Sequence, residues 1–364
     1  MSRDILNVDT SVQPTFTARN LELLDLESVR LILQGSSVID WNRLNFTQRN
    51  EVNEFLRLNL MDPDDPSDQE RLRFVFNQSV NYLEENLDLR FPDDLRVPAD
   101  VRDVFVEAST FAGRFRRRQM LACTTLKLMH VINHMEAADL KFQTPVSEAQ
   151  LLDQAEKRII EYADGLRQQG FPLHAFYGSR KTRNSVITKL LAKRDTIAAT
   201  VFDKLRFRIV VEKQSEIVPV LAHLCRTLFP FNYAIPGQSH NNLVNFRRSL
   251  REIQEYAAMT PDLQRLRSRA SEWIADNNPF SGNSYRTINF IVDFPVRLDE
   301  EHPFPEHPYL LGRTVFVMVE FQLLDRETAL ANEDGENAHE LYKDRQRRIV
   351  ERRLVRGSKT RQQE

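Results

Sequence analysis

Residues 176–211 read FYGSRKTRNSVITKLLAKRDTIAATVFDKLRFRIVV: a basic loop, an amphipathic helix and then a strand that opens with an acid. Gly178, Ser179, Arg180, Lys181, Thr182 and Arg183 place small, hydroxylated and cationic side chains directly before an apolar run at Val186, Leu190 and Leu191. A helix start offers unpaired N–H groups and a partial positive charge, and the neighbouring cations deepen that potential, so the stretch suits a polyphosphate. After the helix, Asp203 opens the strand DKLRFRIVV, with Leu205, Phe207 and Ile209 on one side and Arg206 and Arg208 on the other. A carboxylate near a phosphate cradle points to a magnesium ion. The same residues also suit a solvated helix start followed by an ordinary strand.

Composition places the chain among soluble globular proteins and sets limits on its partners. With 41% hydrophobic and 28% charged residues its 364 residues can bury a core, as one large domain or two. The net charge of −2 gives no global field toward nucleic acid or membrane, so such a role must rest on a local patch. Cys123 and Cys225 sit in apolar helical patterns and offer neither zinc spacing nor a disulfide framework. The N-terminus lacks an apolar signal core and no run is long enough to span a bilayer, which leads us to expect a cytoplasmic protein with no membrane partner.

Residues 1–145 read as an all-helical region of unassigned role. Apolar faces recur at Leu21, Leu24, Val29, Ile32 and Leu33, at Val52, Phe55, Leu56 and Leu60, and again between Val101 and Leu140. The loop DPDDPSDQE at 62–70 feeds a helix carrying Leu72, Phe76, Val80 and Leu83. His130 and His134 share a helical face at metal-ligand spacing, but the intervening Glu of a zinc-protease motif is missing, and structural helix histidines are the reading adopted.

A second region, 146–345, opens on a Ser-x-x-Gln helix start at Ser147 and alternates strands with helices, which argues for an α+β sheet domain flanked by helices. FNYAIPGQSHNN at 231–242 reads as a loop, and residues 246–276 as a charged helical insertion. In YRTINFIVDF, alternation puts Tyr285, Thr287 and Asn289 together; in TVFVMVEFQLL, it puts Glu320 and Gln322 together. An acid in mid-strand is costly to bury unless it is paired or binds a metal, although an edge strand could simply expose it. Residues 346–364 form a basic helix or tail. KDRQRRIVERRLVRGSKTR carries nine Lys and Arg at 343–361, enough to meet RNA phosphates or to form a solvated helix end.

Five pieces in order carry a resemblance: Lys181, Thr182, Ser185 and Lys189; Asp203 and Arg208; Tyr285, Arg286 and Thr287; Glu320 and Gln322; then Glu333, Gly335, His339, Tyr342 and Lys343. This order resembles the synthetase domain of RelA/SpoT-type alarmone synthetases over roughly residues 150–345, with a mixed-sheet, nucleotidyltransferase-like fold. The chain departs from that pattern at Ser179, Asn289, Leu324 and Asp325.

The resemblance implies magnesium-dependent transfer of pyrophosphate from ATP to the 3′-hydroxyl of a guanosine nucleotide, GDP or GTP. It implies Asp203 and Glu320 as catalytic metal ligands, and Arg180, Lys181, Lys189 and Arg208 on the ATP phosphates. Tyr285, Asn289 and Gln322 would meet the acceptor. The alternatives are an RNA 3′ end as acceptor, or an inactive nucleotide-sensing protein of the same fold. The oligomeric state is left open.

Overall fold

The computed structural model of the chain describes residues 3–7, 23–41, 44–109, 116–171, 173–192, 204–249, 285–298, 311–333 and 339–354. Asp203, Gly335, the insertion from residue 250 onward and the tail beyond Leu354 lie outside these described residues. The fold is a mixed β-sheet flanked by helices and preceded by a largely helical N-terminal region.

Among the described residues six strands make one sheet: β1 (Arg3–Asn7), β2 (Leu173–Arg180), β3 (Leu205–Val211), β4 (His240–Asn241), β5 (Ile288–Arg297) and β6 (Thr314–Asp325). Their order across the sheet is β1-β2-β3-β6-β5-β4. Among the described strands only β3 and β6 run parallel; every other neighbouring pair is antiparallel.

The helices before the sheet's main body are α1 (Leu23–Leu33), α2 (Arg49–Leu58), α3 (Pro66–Leu87), α4 (Asp93–Arg96), α5 (Arg102–Ser109) and α6 (Arg116–Gln143). Those interleaved with the strands are α7 (Glu148–Gln168), α8 (Arg183–Ala192) and α9 (Ile217–Thr227), and α10 (Arg326–Glu333) and α11 (His339–Leu354) follow the last strand. None of the described helices is long and apolar enough to cross a membrane.

Local chemistry explains several of the boundaries. Asp65 caps α3 by accepting the Asp68 N–H, with Pro66 at the first helical position, where its missing N–H costs nothing. Ser147 and Gln150 form a reciprocal capping box that starts α7.

The alternation in β3 and β6 divides the sheet into two unlike faces. On the apolar face Phe207, Phe321 and Phe290 stand side by side in register, at centroid separations of 6.0 and 5.6 Å, and Phe229 packs on Phe321 at 5.1 Å. Each such aromatic pair adds about 0.5–1.5 kcal/mol beyond its buried area. Helix α7 lies over this face, with the Arg158 guanidinium 5.0 Å from the Phe294 ring centroid.

The N-terminal region is helical as expected, apart from Arg3–Asn7, which pairs with β2 at the edge of the described sheet. One buried apolar cluster runs from Leu26 through Val104 and Leu140 to Leu324, joining the N-terminal helices to the sheet. Polar ties cross the same boundary. Arg297 at the end of β5 donates to the Leu60 carbonyl at 2.6 Å and to Asp68 at 2.7 Å, and Arg226 of α9 clasps Asp25 of α1.

Candidate active site

The second face of the sheet is polar at one end and plugged at the other. At the plugged end α6 crosses the strands, and the His134 ring stacks on Phe316 at 4.5 Å with its Nε2 3.6 Å from Asp293. Burial pushes His130 down to about 3 and His134 to about 4, so both imidazoles are neutral, and it pushes the Asp293 carboxyl up to about 6. The two rings are 4.2 Å apart and engaged with Asn232, Tyr233 and Phe316, as structural histidines are. Among the described residues no cluster of three or more His, Cys, Asp or Glu is arranged to hold a metal ion.

The other end of that face carries the polar cluster. Register fixes it: Arg206 pairs with Glu320 and Arg208 with Gln322 between the parallel strands, while Asn289 stands opposite Gln322 from β5. Side-by-side partners point to the same side, so the three strands bring these groups together. Glu320 and Gln322 are each only 5% exposed.

The Glu320 carboxylate is the hub. Its Oε1 accepts the Asn289 amide at 2.8 Å and the Gln322 amide at 3.2 Å. Gln322 in turn accepts Arg208 Nε at 3.3 Å through its own oxygen. The second carboxylate oxygen, Oε2, is buried with no hydrogen-bond partner and lies 3.5 Å from Arg206 Nε. Such an oxygen fits a hard cation such as magnesium, for which Glu320 would supply one ligand. Arg206 faces the same atom, so guanidinium and metal would share it.

The structure places the sequence-derived residues differently. Glu320, Gln322, Asn289 and Arg208 are brought together as described. Lys181 follows β2 directly, its backbone N–H donating to the Lys204 carbonyl at 3.0 Å, and Lys189 lies in the last turn of α8. Tyr285 and Thr287 precede β5, which begins at Ile288, so strand alternation does not set their side. They are bracketed by Asn242, which donates to the Tyr285 carbonyl at 2.8 Å and accepts the Thr287 N–H at 2.7 Å.

Arg180 is not brought to the cluster. The stretch expected to be loop from Gly178 is still strand as far as Arg180, and pairing opposite Leu205 puts Arg180 on the apolar side, away from Ser179 and Arg206. There its guanidinium meets Asp153 and Glu156 of α7, each at 2.7 Å. Helix α8 then starts at Arg183, with Thr182 accepting the Ser185 N–H at 3.3 Å.

Two residues on the polar face were not singled out from sequence. Arg206 has the same parity as Arg208 in β3, a signal that was available. His240 stands opposite Asn289 in β4, a strand too short to show a period.

No family model matches the chain, and no curated protein matches it. Among solved structures it is similar to the small alarmone synthetase 2 from Bacillus subtilis, with 15% identity over 56% of this chain and 90% of that one and a TM-score of 0.29. It is also similar to the small alarmone synthetase 1 from Bacillus subtilis (14%, 56% and 88%, TM-score 0.31). A third is a GTP pyrophosphokinase family protein from Streptococcus pneumoniae (13%, 56% and 85%, TM-score 0.28). The likeness is distant, and the functional reading rests on the chain's own residues.

Proposed function

We propose that the chain is a RelA/SpoT-type synthetase that moves pyrophosphate from ATP to the 3′-hydroxyl of a guanosine nucleotide. The observation that carries this reading is Glu320, a carboxylate buried in mid-sheet with one oxygen fixed by two amides and the other left without a hydrogen bond. Burying a carboxylate costs several kcal/mol before its partners offset it. Packing alone would be served by an apolar residue, as at Ile291 and Met318 on the same face.

The surrounding side chains divide the work. Asn289 and Gln322 hold Glu320 in one orientation, which leaves Oε2 to take a hydroxyl proton or to ligate a metal. Arg206 and Arg208 set positive charge beside it, where the charge of a transferring pyrophosphoryl group would gather; Lys181 and Lys189 extend that charge toward the donor. Magnesium, held by Glu320 and Asp203, would supply charge neutralisation and polarisation of the phosphoryl oxygens. Tyr285 is assigned to stacking on the acceptor base.

One observation favours a second acceptor class. Helix α11 exposes Arg347, Arg348, Arg352 and Arg353, a basic face suited to an RNA backbone. The test is incubation with γ-labelled ATP and magnesium against GDP, GTP, other nucleotides and tRNA, with the products resolved. Label on GDP or GTP supports the reading; label on tRNA alone moves it to the second class; label on nothing leaves a sensing protein.

A further inference from the structure

The polar face continues past Asn289. Read across the sheet, one row runs Tyr177, Arg208, Gln322, Asn289 and His240, each the register partner of the next. With strands about 4.8 Å apart, its four steps span about 19 Å, enough for a nucleotide to lie along it. Charge is graded along this row. The cations Arg206 and Arg208 stand on β3, whereas the β5–β4 end offers the Asn289 carboxamide and the His240 imidazole. An acceptor nucleotide therefore orients with its phosphates toward β3 and its base toward β4.

The strand that presents His240 is two residues long, yet it is held from both sides. Asn241, buried at 4% exposure, accepts the Leu243 and Val244 N–H groups and donates to the Val244 carbonyl at 2.8 Å. Asn242 is clamped to Tyr285 and Thr287, and upstream the Ile235 N–H donates to the Ile291 carbonyl at 2.8 Å. Buried Asn241 and half-buried Asn242 on one side and a ladder bond on the other fix the backbone so that one half-buried imidazole stands beside Asn289.

We propose that His240 is an acceptor-binding residue that, with Asn289, hydrogen-bonds the purine base of the acceptor nucleotide. This rests on the function proposed above. An imidazole offers ring nitrogens and a carboxamide offers N–H donors and an acceptor oxygen, and a guanine edge presents complements to both. Adjacent His240 and Asn289 thus read a polar base edge that an aromatic surface alone would not distinguish.

The test titrates the full-length wild type, H240A, H240F and H240Q with GDP in magnesium buffer by calorimetry, alongside steady-state transfer. H240A and H240F are expected to raise the GDP Kd and KM about tenfold or more, and H240Q to stay within about threefold of wild type. The ATP KM stays within about twofold in all three, because the donor lies at the cationic end. H240F keeps the ring volume and loses both polar atoms, so it decides the case if H240A does not fold. Wild-type GDP affinity in a folded H240A or H240F overturns the inference alone. A wild type that binds neither GDP nor GTP overturns the functional reading, and the inference with it.

Discussion

Asn289 stands opposite Gln322 in the β5–β6 ladder, yet its amide donates to Glu320 Oε1 at 2.8 Å, one pair along on the same face. This diagonal bond fixes the buried carboxylate from the neighbouring strand. Asn289→Ala removes one of two donors to a buried anion, and we expect it to lower stability by about 1–3 kcal/mol with an unchanged urea m-value. Urea unfolding curves check this; an unshifted midpoint would mean that the bond is not made in solution.

Arg180 gives a contrasting case, a cation already engaged by Asp153 and Glu156. Arg180→Ala and the double variant Asp153→Asn/Glu156→Gln should each lower stability by no more than about 1 kcal/mol, as partly exposed ion pairs do. Neither should change the ATP KM. A selective rise of that KM in Arg180→Ala would put the guanidinium on the donor phosphates after all.

The buried interface between α6 and the sheet sets a pH dependence. Between about pH 4 and 6 the folded chain carries a proton on Asp293 and none on His130 or His134, because burial raises the first pKa to about 6 and lowers the others to about 3 and about 4. The unfolded chain does the reverse, with both imidazoles charged and the carboxyl ionised. Unfolding therefore takes up one net proton at these groups, and their contribution to stability rises with pH by about 1.4 kcal/mol per unit. Asp293→Asn leaves the two histidines unopposed and should roughly double that slope, whereas His134→Gln should flatten it. Urea unfolding at several pH values in this window measures the differences; a flatter slope in Asp293→Asn would contradict the assignment.

Much of this was legible in the sequence where period or capping carried it. The Ser147–Gln150 start of α7, the alternation of β3 and β6, and the shared side of Glu320 and Gln322 all follow from local pattern. Arg180 was misplaced because its glycine-serine-arginine context reads as loop, and one more residue of strand reverses the side that it faces. Alternation in β5 was carried too far toward Tyr285, where Asn242 holds the backbone instead of a neighbouring strand. Strands β1 and β4 are set by long-range pairing with β2 and β5, which no local window contains.

Helix α11 also changes how the two acceptor classes should be separated. It packs along α8, and Arg353 donates to the Leu191 carbonyl near the end of α8. Truncation after Lys343 removes this brace and should weaken transfer to any acceptor. Replacing Arg347, Arg348 and Arg352 with Gln keeps the packing and should leave transfer to GDP within about twofold, while flattening the salt dependence of an RNA acceptor by about two units of slope. A salt titration of both reactions reads the outcome, and an unchanged slope with RNA would exclude the α11 face as its contact.

The most direct measurement compares the wild type with Glu320→Gln in magnesium buffer, following label from γ-labelled ATP onto GDP while monitoring thermal unfolding. The expected result is transfer by the wild type and a fall on the order of 10²–10³ in the variant with its unfolding transition retained, since the amide keeps the shape and loses the charge. Transfer by a folded Glu320→Gln at the wild-type rate, or no transfer to a guanosine nucleotide by the wild type, would contradict the account.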